Sequence, residues 1–485
     1  MRVTNHMIYG NSMNNIWRNA RHLNSLVTQI ETGKRIQRPS DDPLLAARSL
    51  RYRTILAEAE QFLRNAQQGM AWMDSSEAAL NNILTGSPTS PSLMHRLYTN
   101  ILQAAQTGTQ ELADQRAILT EMQQHFQQMF GVDMNQTYLG RYVFSGFHTN
   151  QPPVLKNDMT GRSFLINQSF DARIIERAQT FYRETPASMP RGIDINVIKL
   201  PFSNVSFDNT DWPEIGISLA DGTALEVRDM ISTQTGAYSP AGDYYIHHIV
   251  DTGELIMSDA LRARIEAEGG LNITYRIDSP RAGELNPIVY FNSSEIVGDE
   301  LLRFNTAGQN IQMEISPKAY ITINSHARDI LTADLFADLR RLFEFADSLV
   351  SSDPRVIEEY FRNPPHNYTG TALSNAVDEF LSDEQALFAG LLHNRFDNML
   401  ETIMQHAAQA QREHTNLGSR MARLEMVGIR LEEDEVAYTD LLSQNEDTDL
   451  AGTIMRKSGA EAAFGHALRA IAMTTQLSLA DFINR

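Results

Sequence analysis

The chain has no cysteine among its 485 residues. That excludes a disulfide framework, thiol catalysis and any thiolate metal site. It is also short of positive charge, with 41 Lys and Arg against 60 Asp and Glu, a formal net charge of −19. Neutralising phosphates needs a concentrated basic face, so nucleic acid is excluded as a partner. No apolar run approaches the roughly eighteen residues needed to cross a bilayer, and no membrane partner is expected. The start, Met1-Arg2-Val3-Thr4-Asn5-His6, lacks a charged stretch followed by an apolar core, so it does not read as an ordinary secretory signal. This profile suits a soluble cytosolic protein, and equally one exported by a signal-free route.

Catalytic motifs are missing too. The chain has no phosphate-cradling Gly-x-x-x-x-Gly-Lys, no strand-coupled Gly-x-Gly-x-x-Gly and no His-Glu-x-x-His. His247 and His248 are adjacent, which on a strand sends them to opposite faces. His406 and His414 are eight apart on a helix, about 12 Å, too far to share a metal. Solvated or seam-filling roles suit these histidines, and no metal or cofactor is expected. The acidic run Glu432-Glu433-Asp434-Glu435 reads as a solvated face or an arginine partner.

What the chain does have is long helical periodicity. Ser40-Asp41-Asp42-Pro43 is a helix start: Asp42 can accept from the orphan amides of the first turn, and Pro43 suits the first helical position. A repeat with steps of three and four follows: Leu45, Ser49, Tyr52, Leu56, Ala59, Leu63, Ala66, Met70, Met73, Glu77, Leu80, Leu84. Ten of these twelve are apolar or aromatic, while Arg48, Arg51, Glu58, Glu60 and Arg64 lie elsewhere on the helix. A narrow apolar stripe on a polar rod about 60 Å long calls for a partner rod. The same steps run through Phe396, Leu400, Ile403, Ala407, Ala410, His414, Leu417, Met421, Leu424, Gly428, Leu431, Glu435, Tyr438 and Leu442. Two such rods close one antiparallel bundle only if everything between them leaves and returns at the same end. Facing residue numbers then total about 490, within one heptad. Arg48, Arg51 and Arg53 would face the acidic stretch that includes Glu435 and Glu446.

Shorter seams flank the rods. Tyr9, Met13, Ile16, Ala20, Leu23, Val27 and Ile30 form one, ended by Gly33; Ile454, Ser458, Glu461, Gly465, Leu468, Ala472, Thr475, Leu479 and Phe482 form the other. Thr85 to Ser92 breaks the first rod, and the helical period resumes from Leu93 to Phe130 as one further helix. Tyr138–Gly146 reads as a strand. Further β-type runs occupy 193–200, 244–250, 271–277 and 319–323, with one helix expected at 259–268; helical signals return at 335–349. The expected fold is mainly α with a β-rich insert: an antiparallel long-helix bundle formed by the N- and C-terminal segments, plus an inserted β domain. Its expected division is a terminal helical core (1–38 and 446–485), a long-helix rod domain (39–150 and 326–445) and a β-rich outer domain (151–325).

Several local stretches carry a resemblance to a known family. They are Thr32-Gly33-Lys34-Arg35-Ile36, Pro39-Ser40-Asp41-Asp42-Pro43, Gln61-Phe62-Leu63-Arg64-Asn65 and Glu77-Ala78-Ala79-Leu80. On these the chain resembles the flagellin superfamily of bacterial flagellar proteins. Met1-Arg2-Val3-Thr4, Gly140-Arg141-Tyr142-Val143-Phe144-Ser145-Gly146 and Leu477-Ser478-Leu479-Ala480-Asp481-Phe482 look like its hook–filament junction branch. The resemblance implies a structural subunit rather than an enzyme, exported unfolded through the flagellar type III apparatus and placed in the extracellular flagellum. It implies that Ile16, Leu23, Leu468 and Leu479 lie on terminal assembly helices. Leu56, Leu63, Met70, Leu80, Leu417, Leu424, Leu431 and Tyr438 are the expected bundle seam, with Asp42 and Pro43 as the helix cap. The implied partners are other copies of the chain in a ring, a hook-side junction protein of the hook-associated protein 1 type, flagellin and an export chaperone. A minor filament subunit is the alternative role, and an enzyme housed in the insert a more distant third.

Overall fold

The computed structural model describes residues 5–86, 90–106, 112–185, 187–202, 204–234 and 236–483. Helix α1 (Asn5–Thr32) ends where Gly33 takes φ 68°, a left-handed conformation that glycine adopts without a Cβ penalty. Helix α2 (Pro43–Leu80) opens on the expected proline, and the Asp42 carboxylate accepts from the Leu44 and Leu45 amides, each at 3.1 Å. Its last turn widens into a π-helical turn, Asn81–Thr85.

Two local expectations are corrected here. The single helix expected from Leu93 to Phe130 is two, α3 (Leu93–Ala104) and α4 (Leu112–Phe126), and α4 runs on as π-helical Gln127–Asp133. The intervening sequence carries Thr107-Gly108-Thr109, poor helix formers that the matching apolar spacing on either side concealed. The strand expected over Tyr138–Gly146 is a minimal hairpin, β1 (Thr137–Tyr138) paired with β2 (Arg141–Tyr142). Leu139 and Gly140 turn the chain with φ of 49° and 76°. Positive φ at both central residues is the geometry that matches the twist of a tight hairpin.

The insert is a sheet built mostly of neighbours in antiparallel contact. Its strands are β3 (Ser163–Phe170), β4 (Glu176–Tyr182), β5 (Arg191–Lys199), β6 (Val205–Ser206), β7 (Gly216–Leu219), β8 (Ala224–Met230), β9 (Tyr245–Ile249) and β10 (Glu254–Met257). After helix α5 (Asp259–Glu268) come β11 (Leu271–Asp278), the short helix α6 (Pro287–Tyr290), β12 (Asn292–Val297) and β13 (Glu300–Phe304). The order across the sheet is β13-β12-β3-β11-β7-β8-β9-β10-β5-β4, with β6 also on β11. Strand β8 joins two halves: Ala224 and Leu225 pair antiparallel with β7, and Glu226–Met230 pair parallel with β9. Strand β11 alternates buried and half-buried positions along its whole length, the period-2 signature of one covered face. His247 and His248 on β9 are both buried rather than solvated. His247 Nδ1 bonds the Ala237 carbonyl oxygen and His248 Nδ1 the Asp229 carboxylate, because this strand is covered on both faces.

Beyond the sheet lie the hairpin β14 (Gln312–Ser316) and β15 (Ala319–Thr322), then α7 (Ala327–Ile330), α8 (Ala333–Ser348) and α9 (Pro354–Arg362). The chain closes with α10 (Gly370–Glu446) and α11 (Leu450–Ile483). It is thus mainly helical with a β-rich insert, its long helices supplied by the two ends of the sequence. Helix α10 starts 26 residues before the expected Phe396. Its buried stripe there includes Glu384 and Arg395, charges that break the apolar pattern. Each is satisfied, Glu384 by Arg183 and by the Ser352 amide, Arg395 by the Gln179 carbonyl.

Contacts divide the chain into two compact units. One holds the segments up to Gln67, Glu314–Ala319 and the segment from Glu425 onward; the other holds Gln68–Met313 and Tyr320–Leu424. In the second unit α4 and α8 meet through Phe126, Phe130, Phe336 and Phe343. Lys199 is buried there between Glu176 and Asp338, and His406 of α10 lies 3.7 Å from the same Asp338. Burial acts to lower the Lys199 pKa, yet the two carboxylates outweigh it and hold the ammonium charged.

Candidate functional site: the terminal helix pair and its joint

Helices α1 and α11 pack on each other within the first unit. On α1 the expected Met13, Ile16, Ala20, Leu23, Val27 and Ile30 are half-buried; Leu26, outside the expected seam, is buried, and Tyr9 lies outside the residues whose side chains are described. On α11 the expected phase is corrected by one residue. Of the expected seam Ile454, Ser458, Glu461, Leu468 and Ala472 are exposed and Gly465 is half-buried, while Thr453, Lys457, Ala460, Phe464, Ala467 and Ile471 are buried or half-buried. The step of three and four is kept. The phase was ambiguous because α11 carries apolar residues on more than one face, and the smaller stripe packs. Leu479 lies outside the residues whose side chains are described.

The consequence is an uncovered apolar surface. Leu468 is 46 % exposed and Met473 67 %, and Met7 and Trp17 of α1, with Ile454 and Met455 of α11, are exposed as well. In the same unit Leu44, Leu50, Met426, Ile429 and Val436 are also open to solvent. Single exposed apolar side chains are ordinary; here they recur on four helical segments of one unit.

The joint between this pair and the rods is built from two connections tied to each other. Arg35 donates its amide to the Glu446 carbonyl at 2.6 Å, and Thr448 donates to the Gly33 carbonyl at 2.9 Å. Lys34 Nζ stands 2.6 Å from Asp447 and 3.5 Å from Glu446. Arg53 Nη2 reaches the same Glu446 carboxylate at 2.8 Å. Asn445 donates to the Leu45 carbonyl and to Ser49 Oγ, at 3.0 and 2.6 Å. Asp41 holds the connection in shape by accepting from the Gln37 and Arg38 amides. Glu446 is the buried hub. Burial alone would raise its pKa, but Arg53, Ser49 and Lys34 outweigh that and hold the carboxyl below its ordinary value. The Asp447 carboxyl is lowered by its hydrogen bonds from Lys34 and Ser443.

Within the first unit the rods run antiparallel. Leu45 faces Asn445, and the rings of Tyr52 and Tyr438 lie 6.4 Å apart. Within the second, a Cβ on Gly69 would stand 3.2 Å from Leu424 and 3.1 Å from Ile323. Each facing pair totals about 490, the register set by heptad phase. Leu80, Leu417, Leu424 and Leu431 are buried; Leu56, Leu63, Met70 and Tyr438 are half-buried. Of the three arginines expected to face acidic residues, Arg53 finds Glu446, and Arg48 and Arg51 are exposed.

Two residues escaped the sequence reading. Gly69 is where α2 approaches Ile323, Met313 and Leu424; a glycine inside a helix was the available signal, since it needs a packing reason. Arg420 donates to the carbonyls of Thr322 and Asn324 and to Ser325 Oγ, fixing the segment after β15 to α10. Nothing in its helical spacing announced that.

The description "Bacterial flagellin N-terminal helical region" matches residues 3–149, in agreement with the motifs around Asp42. More particularly, the chain is similar to the flagellar hook-associated protein 3 of Salmonella typhimurium, 26 % identical over 153 residues, 32 % of this chain and 46 % of that protein. The protein of the same name from Escherichia coli is 25 % identical over 174 residues, 36 % of this chain and 52 % of the other. The chain spans about half the length of these curated relatives. A solved protein from Vibrio parahaemolyticus, described as a flagellar hook-associated protein, aligns over 84 % of this chain and all of its own, at 11 % identity and a TM-score of 0.36.

Proposed function

We propose that this protein is a structural, non-enzymatic component of the bacterial flagellum, the junction between hook and filament. The observation that carries the reading is the uncovered apolar surface of α1 and α11 in a unit whose joint is otherwise fully stitched. A helix pair that leaves Trp17, Leu468 and Met473 in water is completed by neighbours of the same kind. The proposed partners are further copies in a ring, a hook-side junction protein of the hook-associated protein 1 type, flagellin and, before export, a chaperone. The proposed location is extracellular; among the described residues no helix is long and apolar enough to cross a membrane. Functionally the chain divides into a terminal core (1–38 and 446–485), a rod (39–150 and 326–445) and an outer β domain (151–325).

Deleting the gene tests this. The expected phenotype is intact hooks, no attached filament and filament protein released into the medium. Filaments that remain attached would support the alternative of a minor filament subunit. Expressing the chain with Met473→Glu and Leu468→Glu together should fail to restore filaments while the rods stay folded.

A further inference from the structure

We propose that the β1–β2 hairpin of one copy of this chain docks on the exposed face of α10 between Glu425 and Asp440 of the next copy. This contact rests on the reading that copies of the chain assemble together, and it names the surfaces through which they meet. The hairpin carries an apolar tip that the chain itself does not use. Leu139 is 85 % exposed and holds φ 49°, a position that a tight turn ordinarily gives to asparagine, aspartate or glycine. A leucine there strains the backbone and leaves its side chain in water, so the lone chain gains nothing from it. Phe147, 59 % exposed, follows on the same segment, whose Thr149 carbonyl accepts the Tyr142 amide.

The charge of the hairpin is of one sign. Arg141 is exposed, and Lys156, also exposed, lies 5.1 Å over the Tyr142 ring. From residue 134 to 156 these are the only charged side chains, since burial holds His148 toward its neutral form. The carboxylates around them are engaged or turned away. Asp133 is buried on Asn82, Asp158 accepts the Ala282 amide, and Glu284 is paired with Arg340. Asp74 and Glu77 stand on the side of α2 away from Trp72, the residue that packs on Tyr138.

The α10 face is the complement. Met426, Ile429 and Val436 are 65, 53 and 71 % exposed, on the side of the helix opposite the buried Leu431. Glu425, Glu432, Glu433 and Asp440 recur with them at steps of three and four, all exposed. Arg423 and Arg430 lie off this face, and Arg430 pairs with Asp434 at 3.9 Å. An apolar stripe edged by four carboxylates fits an apolar tip flanked by an arginine and a lysine, and it repels a second stripe of its own kind. Because the two surfaces differ, the contact is heterologous. Each copy keeps one hairpin and one stripe free, so contacts propagate until they close a ring or continue as a helix.

Cysteine cross-linking tests the contact, since the chain has no cysteine of its own. Full-length Leu139→Cys and Val436→Cys are mixed in equal amounts and oxidised with copper–phenanthroline. The expected product is the mixed dimer, formed at least about tenfold faster than either homodimer at low salt and slowed as salt is added. Arg141→Glu with Lys156→Glu on the hairpin partner should slow it about tenfold, and Glu432→Lys with Glu433→Lys on the other partner should restore it. Misfolding of either variant does not produce such a rescue. If Leu139→Cys or Val436→Cys does not fold, Phe147→Cys and Ile429→Cys replace them. Mixed dimers no faster than homodimers, or a charge reversal that the swap does not restore, would overturn the contact. In isolated hook–filament particles the double variant Leu139→Cys with Val436→Cys should give a ladder of cross-linked copies. A chain absent from those particles whose mixed dimer forms in solution overturns the function proposed above and leaves this contact standing. A chain present there without a ladder overturns the contact and leaves the function standing.

Discussion

At the scale of single residues, the joint depends on Glu446. Its folded pKa is depressed, so it contributes stability above the ordinary carboxylate pKa and loses that contribution as pH falls through the folded value. Thermal melts should therefore show an acid limb below about pH 4.5, and Glu446→Gln should flatten it. Arg53→Ala removes one of the partners of the Glu446 carboxylate and, because the arginine is itself mostly exposed, should lower stability by about 0.5–1 kcal/mol at neutral pH, measured by urea titration. Gly69 makes the opposite kind of demand. An added Cβ would meet Ile323, Leu424 and Met313 at 3.1–3.2 Å, so alanine needs its neighbours to give by a few tenths of an ångström. The helix propensity gained, roughly 1 kcal/mol, offsets that squeeze, and Gly69→Ala should lie close to the parent. Gly69→Leu overpacks the site and should cost about 1–3 kcal/mol in the same titration.

Helices and strands set the next level. The long helices hold together through a seam in which Leu417, Leu424 and Leu431 are buried, and each large apolar side chain contributes roughly 1.5–3 kcal/mol when fully buried. Exposed ion pairs add about 0–1 kcal/mol each. Leu431→Asp should therefore unfold the end of the rod, seen as loss of circular dichroism and early proteolysis, while Arg51→Ala should leave both unchanged. The seam was readable from sequence because an apolar step of three and four admits few other helical readings. The hairpin β1–β2 was not, because a pair of positive-φ residues reverses the chain inside what reads as one β-type run. The early turns of α10 were hidden for a different reason: Glu384 and Arg395 are buried charges with partners distant in sequence, Arg183, Ser352 and Gln179.

For the molecule as a whole, α1 and α11 are the long helices with little burial: among the described residues each has one buried side chain, Leu26 and Thr453. Helices in proteins draw most of their stability from a packed apolar face, and these leave much of theirs open. Hydrogen exchange on the monomer should show weak protection at Ile16 and Leu468 and strong protection at Leu97, Leu392 and Ile403, which are buried in the second unit. Protection at Leu468 equal to that at Ile403 would show that the terminal pair needs no neighbour. Addition of assembled copies should raise protection in α1 and α11 alone.

The sequence by itself determined the start of α2, the heptad phase of the rods, their antiparallel register and the β-rich character of the insert. These are properties of spacing and of local backbone chemistry, which a chain carries wherever it folds. Tertiary structure alone decided which face of α11 packs, because that helix is apolar on more than one side and only α1 chooses between them. It also decided the order of the sheet, the burial of His247 and His248, and the gathering of Arg183, Tyr238, Glu254 and Arg341 around one cavity. Those residues are up to about 160 positions apart, and no local periodicity relates groups that meet only when loops close between them.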